Sequence, residues 1–145
     1  MANTCIEYTV AGLTINDETP GSDTLITENI DGLDSVDLRR TKPPQGAADG
    51  AILLTARKLF RVPTFTGFVA IRSVEWDDEA AYLAAQDALC SAWVAAIDAL
   101  ENASSTLAWA AHTLTVYKDG GIKFSGQEFG KRFILSLYAP NPAIT

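Results

Sequence analysis

Regularly spaced carboxylates are the first feature of this sequence that could do chemistry. Asp31, Asp34 and Asp37 follow one another three residues apart, and Arg39 and Arg40 come directly after them. A calcium loop instead places its oxygen ligands at alternate positions, with a glycine at the sixth and a closing glutamate. Two interpretations remain open. The three aspartates bind an ion, or they belong to a loop in which the acids accept from backbone amides or pair with the arginines.

The sequence lacks the sets of residues that common catalytic, zinc and phosphate-binding sites require. His112 is the one histidine, and it lies in a predicted strand beside two alanines, so no general base is marked out for a hydrolytic triad. Cys5 and Cys90 are far apart and, with one histidine, do not make the tetrahedral ligand set of a zinc site. Neither a G-x-S-x-G elbow nor a phosphate-binding loop occurs. We therefore predict no enzyme activity, no metal and no cofactor.

Charge narrows the class of partner. The formal net charge is -7, from 11 basic and 18 acidic residues, which argues against a nucleic-acid partner because phosphate binding needs a concentrated basic face. The basic residues gather in two short clusters: Arg39, Arg40 and Lys42, then Arg57, Lys58 and Arg61. Clusters of this kind in an acidic chain favour complementary patches for a protein partner. Without a signal peptide or a long uncharged apolar run, we expect a soluble chain with no membrane span.

Hydrophobic periodicity predicts one domain over residues 1–145, built mainly from strands. Period-two segments occur at 4–16, with a break near Gly12, and at 24–30. A loop rich in glycine, proline and aspartate follows over residues 31–51. Loops of this length inside a compact domain are usually lids, binding arms or interface loops.

The segment "TFTGFVAIRS" carries apolar residues on both faces of its predicted strand. Phe65, Val69 and Ile71 share one face, whereas Phe68 lies on the other. A strand of this type is covered on both sides, by a helix, by a second sheet or by a neighbouring subunit.

One long helix is predicted over residues 77–102, with Asp77 or Asp78 as its N-cap. Its apolar stripe is predicted to contain Tyr82, Leu83, Leu89, Cys90, Trp93, Val94, Ile97 and Leu100, and its solvated face Gln86, Asp87 and Asp98. Cys90 is then a small buried hydrophobe rather than a nucleophile.

The last forty residues give a strong β signal. Strands are predicted around residues 114–117 and 122–124, joined by a hairpin turn at "KDGG", because Asp-Gly suits the positive φ angles of such turns. A final strand alternates Phe133, Leu135 and Leu137 against Ile134 and Tyr138.

The order of these features resembles the distal tail protein family of long-tailed bacteriophages, in its N-terminal ring domain. The resemblance runs through "GLTIN", "ENIDGLDSVDLRR", "KPPQGAADGA", "FTGFVAIRS" and "VYKDGGIKFSGQEFGKRFILSLYAPNP", almost the whole chain. It is closest at "GLDSVDLR", where the family tends to show Gly-Leu-Asp-Ser-Pro-Asp-Val-Arg, and at the closing "APNP". Val36 replaces the commoner proline and Leu38 the valine.

The resemblance implies an α+β, mainly β fold: an antiparallel β-sandwich with one long α-helix and a protruding loop or hairpin. It implies a subunit of a ring, hexameric in the family, that joins the tail tube to the baseplate hub and host-recognition apparatus. The partners would be sibling copies, a tail tube protein, a tail hub protein and a tape measure protein. The chain would be made in the host cytoplasm and reside in the virion, at the tail tip. The family's galectin-like carbohydrate-binding domain is not expected here.

The interface residues that follow from this interpretation are the charged ones. We predict that contacts between subunits involve Asp34, Asp37, Arg39, Arg40, Arg57, Lys58 and Arg61. Two alternatives stay open. One is another tail component, such as a tube, terminator or minor tail protein. The other is a small carbohydrate-binding module, in which Trp76, Trp93 or Trp109 would stack on sugars.

Overall fold

The computed structural model describes residues 6–33, 38–39, 57–58, 60–75, 77–126 and 130–145. The elements are β1 (Tyr8–Val10), β2 (Leu13–Ile15), β3 (Thr24–Asp31), β4 (Leu38–Arg39), β5 (Arg57–Lys58), β6 (Thr64–Ala70), α1 (Glu79–Asp98), β7 (Ser105–Trp109), β8 (His112–Ser125) and β9 (Arg132–Tyr138). Among these residues the chain is mainly β with one helix, as predicted.

Seven strands close into a single barrel in the order β1-β2-β3-β6-β9-β8-β7. Closure comes from β1, which pairs with β2 along one edge and with β7 along the other, where Tyr8 lies opposite Trp109. The predicted two-layer sandwich is therefore not what the described strands form, since no break in hydrogen bonding divides them into two sheets. One neighbouring pair, β2 with β3, is parallel; the other barrel pairs are antiparallel.

The alternation of apolar residues in the sequence correctly predicts which side chains of β6 and β9 face the barrel interior. In β6, Phe65, Gly67 and Val69 are buried, and in β9 the same is true of Phe133, Leu135 and Leu137. These side chains meet inside the barrel, where removing their apolar surface from water supplies the main stabilisation of the fold. Gly67 lies opposite Thr27 of β3 and Phe133 of β9, so it occupies the middle of the sheet.

The helix α1 begins at the predicted place and contributes a stripe to the core. The carboxylate of Asp78 accepts from the backbone N–H of Ala81 at 3.3 Å, as an N-cap residue should. Cys90, Trp93 and Ile97 are buried, with Trp93 only 1 % exposed. The predicted boundaries of the stripe were wrong at two residues: Gln86 is buried, and Val94 is 38 % exposed. An alanine-rich helix has few bulky side chains to fix the phase of its buried face.

The predicted "KDGG" hairpin is also wrong. β8 runs without reversal from His112 to Ser125, and its ladder with β9 shifts register between the pairs Lys118–Leu137 and Gly121–Ser136. Residues 119 and 120 are therefore extra residues in a bulge, not the corner of a hairpin. The chain turns later, between Ser125 and Arg132, which face each other at the end of the ladder.

A buried asparagine stabilises the crossing from β2 to β3. Asn16 has a φ of 60° and is almost fully buried. Its side-chain amide donates to the carbonyl of Ile6 at 3.0 Å and to the hydroxyl of Thr27 at 2.9 Å, while its oxygen accepts from the N–H of Thr27 at 2.9 Å. A short polar side chain that tolerates positive φ suits this position.

Candidate functional site

Within segment 34–59, here called the arm, the structure describes the two short strands β4 and β5. β4 pairs with β5 in an antiparallel register that is separate from the barrel. The protruding loop or hairpin implied by the family resemblance stays a prediction, because residues 40–56 lie outside the described residues. Asp34, Asp37 and Arg40, three of the predicted contact residues, lie outside the described residues.

The ladder brings three other predicted contact residues together. Arg39 lies opposite Arg57, and Lys58 lies opposite Leu38. Like charges at directly opposed positions of an antiparallel pair destabilise it. Contact of these residues with a second subunit stays a prediction.

Arg61, the last of the predicted residues, fastens the base of the arm to the C-terminal segment. Its backbone forms a two-way bridge with Ala139, at 3.0 and 2.9 Å. Its guanidinium donates from Nε to the carbonyl of Pro142 at 2.7 Å and from Nη1 to the carbonyl of Leu33 at 2.6 Å. One side chain thus connects Leu33, the residue before the arm, with Pro142 in the C-terminal segment. The sequence placed Arg61 in a basic cluster and gave no sign of these carbonyl acceptors.

Replacing Arg61 by lysine should destabilise this junction while keeping the charge. The single nitrogen of a lysine cannot take the positions of both Nε and Nη1, so we expect a loss of about 1–2 kcal/mol in the free energy of unfolding. Urea titration followed by circular dichroism measures it. The matched control is Arg132→Lys, since Arg132 forms an exposed ion pair with Glu28, at 2.8 Å, that should be worth little. Equal losses in the two variants would contradict this role for Arg61.

An open cavity of about 630 Å³ lies next to Arg61. Its wall combines polar and apolar groups and includes Ile6, Tyr8, Ile30, Leu33, Trp109, His112 and Ile144. The Trp109 ring packs against Tyr8 and His112, with ring centroids 5.9 and 5.8 Å apart. The volume is within the range of small-molecule sites. Two residues of the wall, Leu33 and Arg61, flank the arm in the sequence. The cavity therefore lies beside the places where the arm begins and ends.

The tryptophans bear on the carbohydrate-binding alternative. Trp93 is in the core and is not accessible to a sugar. Trp109 is half-buried among other rings, and Trp76 lies outside the described residues. Of the two described tryptophans, only Trp109 is reachable from solvent, in the wall of the open cavity.

The described residues include no cluster of three His, Cys, Asp or Glu side chains able to hold a metal ion. Asp31 is exposed and accepts from the side-chain amide of Asn29 at 3.1 Å. The alternative of an ion held by Asp31 together with Asp34 and Asp37 involves two residues outside the described part of the chain. Cys90 is buried as expected, and that burial raises the pKa of its thiol, which disfavours the nucleophilic thiolate.

The outer face of β6 and β9 carries apolar side chains exposed to solvent. Phe68 is 37 % exposed and Ile134 is 51 % exposed. Ile26 of β3 and Arg132 of β9 lie on either side of Phe68, and Lys123 of β8 lies opposite Ile134. We call these five residues the outer sheet patch. The sequence signal for it was the strand with apolar residues on both faces.

The outward face of α1 has a different character. Ala84, Ala88, Ser91 and Ala95 are all exposed, and their spacing places them on one face, opposite the buried stripe. By length and composition this helix could also cross a membrane, a test that the core helix of a soluble protein passes too. Its buried stripe packs into the barrel, which is the behaviour of a core helix.

Comparison with known proteins finds a likeness among solved structures. No family model matches the chain. No curated protein matches it either. Among solved structures, the chain is similar to SPP1 Dit (gp 19.1), described as a paradigm of the hub adsorption apparatus in phages that infect Gram-positive bacteria. The TM-score is 0.58 at 12 % identity, over 97 % of this chain and 52 % of that protein.

The two proteins share a fold. At this identity the likeness concerns backbone architecture, and the chain spans about half the length of the phage protein. The likeness includes the barrel and the helix, because nearly all of this chain takes part. It agrees with the fold expected from the sequence motifs, apart from the closure of the barrel.

Proposed function

We propose that this chain is a structural subunit of a bacteriophage tail tip. The observation that carries the proposal is the fold shared with SPP1 Dit over 97 % of the chain. The motifs "GLDSVDLR" and "APNP", which resemble the distal tail family, support it from the sequence. The two arguments are of different kinds, one from backbone geometry and one from residue identity.

In this proposal the chain acts by assembly rather than by catalysis. Six copies form a ring that joins the tail tube to the hub and host-recognition apparatus, and the partners are sibling copies, a tail tube protein, a hub protein and a tape measure protein. A ring of heterologous contacts satisfies every copy equally and closes without free surfaces. The β4–β5 ladder, in which Arg39 lies opposite Arg57, and the outer sheet patch lie at separate places available for such contacts.

Particle composition and position test the proposal. Antibodies against the chain should label one end of purified tailed particles in electron micrographs, and mass spectrometry of those particles should detect the chain. The isolated ring should have a mass of about 93 kDa by light scattering, six times the 15.5 kDa chain. Labelling along the tube or at the head-proximal end would favour another tail component. Absence of the chain from all particles would refute the proposal.

A further inference from the structure

We propose that Asp119 is a site of spontaneous isomerisation, at which the main chain changes from an aspartate to an isoaspartate linkage through a cyclic imide. The inference goes beyond the proposed function and does not depend on it. It rests on the contrast between Asp119–Gly120, in the bulge of β8, and Asp31–Gly32, at the end of β3.

The reaction needs only water and the two residues themselves. The backbone nitrogen of the glycine attacks Cγ of the preceding aspartic acid, so that an N–Cγ bond forms and a five-membered imide closes. The Cγ–OH bond breaks, and its oxygen leaves as water with the proton of the former N–H. Water then adds to Cγ, which restores aspartate, or to the main-chain carbonyl carbon, which leaves the chain running through Cβ and Cγ. Glycine favours the attack because it has no Cβ beside the reacting nitrogen.

Asp119 and Gly120 are exposed and lie outside the β8–β9 ladder. Its register shifts between Lys118 and Gly121, so the two residues between them have no partner on β9. A Cβ built at Gly120 would meet nothing closer than the Cβ of Ser136, at 3.7 Å. Among the described residues, no hydrogen bond or ion pair holds the carboxylate of Asp119. Rotation that brings Cγ of Asp119 to the nitrogen of Gly120 therefore breaks few interactions.

Asp31–Gly32 has the same two residue types but is held in place. Asp31 pairs with Thr64 in the β3–β6 ladder, and its carboxylate accepts from the side-chain amide of Asn29 at 3.1 Å. Gly32 has a φ of 84°, and a Cβ built there would lie 2.3 Å from the carbonyl oxygen of Val62. Rotation of this dipeptide requires that the end of the ladder opens, which costs free energy. The reaction should therefore be much slower here than in the bulge.

The product is compatible with the fold. An isoaspartate linkage lengthens the main chain by one carbon atom. In a continuous ladder the extra atom would offset the pairs that follow, whereas the bulge already contains unpaired residues that can accommodate it. The barrel should therefore survive the reaction, so that isoaspartate accumulates in folded protein.

The test follows the full chain as it ages at neutral pH in water labelled with a heavy oxygen isotope, which each hydrolysis of the imide adds to the residue. Digestion with a protease that cleaves before aspartate but not before isoaspartate, followed by mass spectrometry, measures conversion at each site. Conversion at Asp119 should be at least about tenfold faster than at Asp31, a ratio that a small difference in the free energy of local opening produces. Fragments that contain Asp49–Gly50, which lies outside the described residues, are scored separately.

Two variants separate the chemistry from the fold. Gly120→Ala places a methyl group beside the reacting nitrogen, in a position with room for it, and should slow conversion at residue 119 severalfold with an unchanged circular dichroism spectrum. Asp119→Glu keeps the charge but would have to close a six-membered ring, so uptake of heavy oxygen at residue 119 should be lost. The inference is overturned if Asp119 does not convert, if Asp31 converts as fast, or if Gly120→Ala leaves the rate unchanged.

Discussion

Gly67→Ala should destabilise the barrel by about 4 kcal/mol or more, a loss that few single substitutions cause. A Cβ atom at residue 67 would lie 1.9 Å from the carbonyl oxygen of Ile26 and 2.9 Å from the Cα of Thr27. Both neighbours are backbone atoms of β3, which pairs with β6 over seven residue pairs, so no side-chain rotation relieves the overlap. The two strands must separate locally. Urea titration followed by tryptophan fluorescence measures the change.

Gly120→Ala is the control for that substitution. A Cβ at residue 120 would meet its nearest neighbour, the Cβ of Ser136, at 3.7 Å, an ordinary van der Waals contact. This variant should stay within about 0.5 kcal/mol of the unmodified chain. If Gly67→Ala were equally mild, the close approach of β3 and β6 at this position would be wrong.

Trp93→Ala should cost about 3–5 kcal/mol, as expected for removing the largest buried side chain from a core. Trp93 is among the most deeply buried residues and joins α1 to the barrel interior, together with Cys90 and Ile97. The alanine would leave a cavity that the rigid barrel fills only partly. Thermal unfolding followed by circular dichroism, which does not depend on this tryptophan's fluorescence, measures the loss.

The neighbouring residue provides the control. Val94→Ala removes an apolar side chain from the exposed side of the same helix turn and replaces it with a better helix former, so its effect should be below about 1 kcal/mol. Equal losses at residues 93 and 94 would mean that α1 is rotated relative to the barrel.

The sequence was most informative where the spacing of apolar residues within one strand or helix predicts which of them are buried. Phe65 and Val69 in β6, and Phe133, Leu135 and Leu137 in β9, were correctly placed on the inner face because alternation has a fixed period of two. The helix was predicted because its caps and spacing are local too. Gln86 was misplaced since a polar side chain can be buried when tertiary packing demands it.

Pairing between distant strands could not be predicted in the same way. Closure of the barrel depends on β1 lying beside β7, about a hundred residues later, and no local pattern encodes that choice. The Asp119–Gly120 dipeptide shows the same limit. It has hairpin chemistry, but β9 pairs with β8 on both sides of it, so the chain continues straight through a bulge.

The candidate site was predictable in its charges but not in their geometry. The basic clusters led to Arg39, Arg57 and Arg61. Arg39 and Arg57 oppose each other because of the register between β4 and β5, which the sequence does not encode locally. Arg61 binds two carbonyls because Leu33 and Pro142 pack beside it in the folded chain. The apolar outer face of β6 in the sequence implied the outer sheet patch. The exposed helix face was not implied, because alanine occurs on both buried and exposed faces of helices.

The place of β9 in the barrel sets the order in which a newly made chain can complete its fold. β9 is the last strand in sequence, yet it lies between β6 and β8. Until residues 132–138 have left the ribosome, both neighbours carry unpaired backbone edges that invite mispairing with other nascent chains. Completion of the barrel therefore waits until β9 has been made, and crowded polysomes are where misassembly of this protein should be greatest.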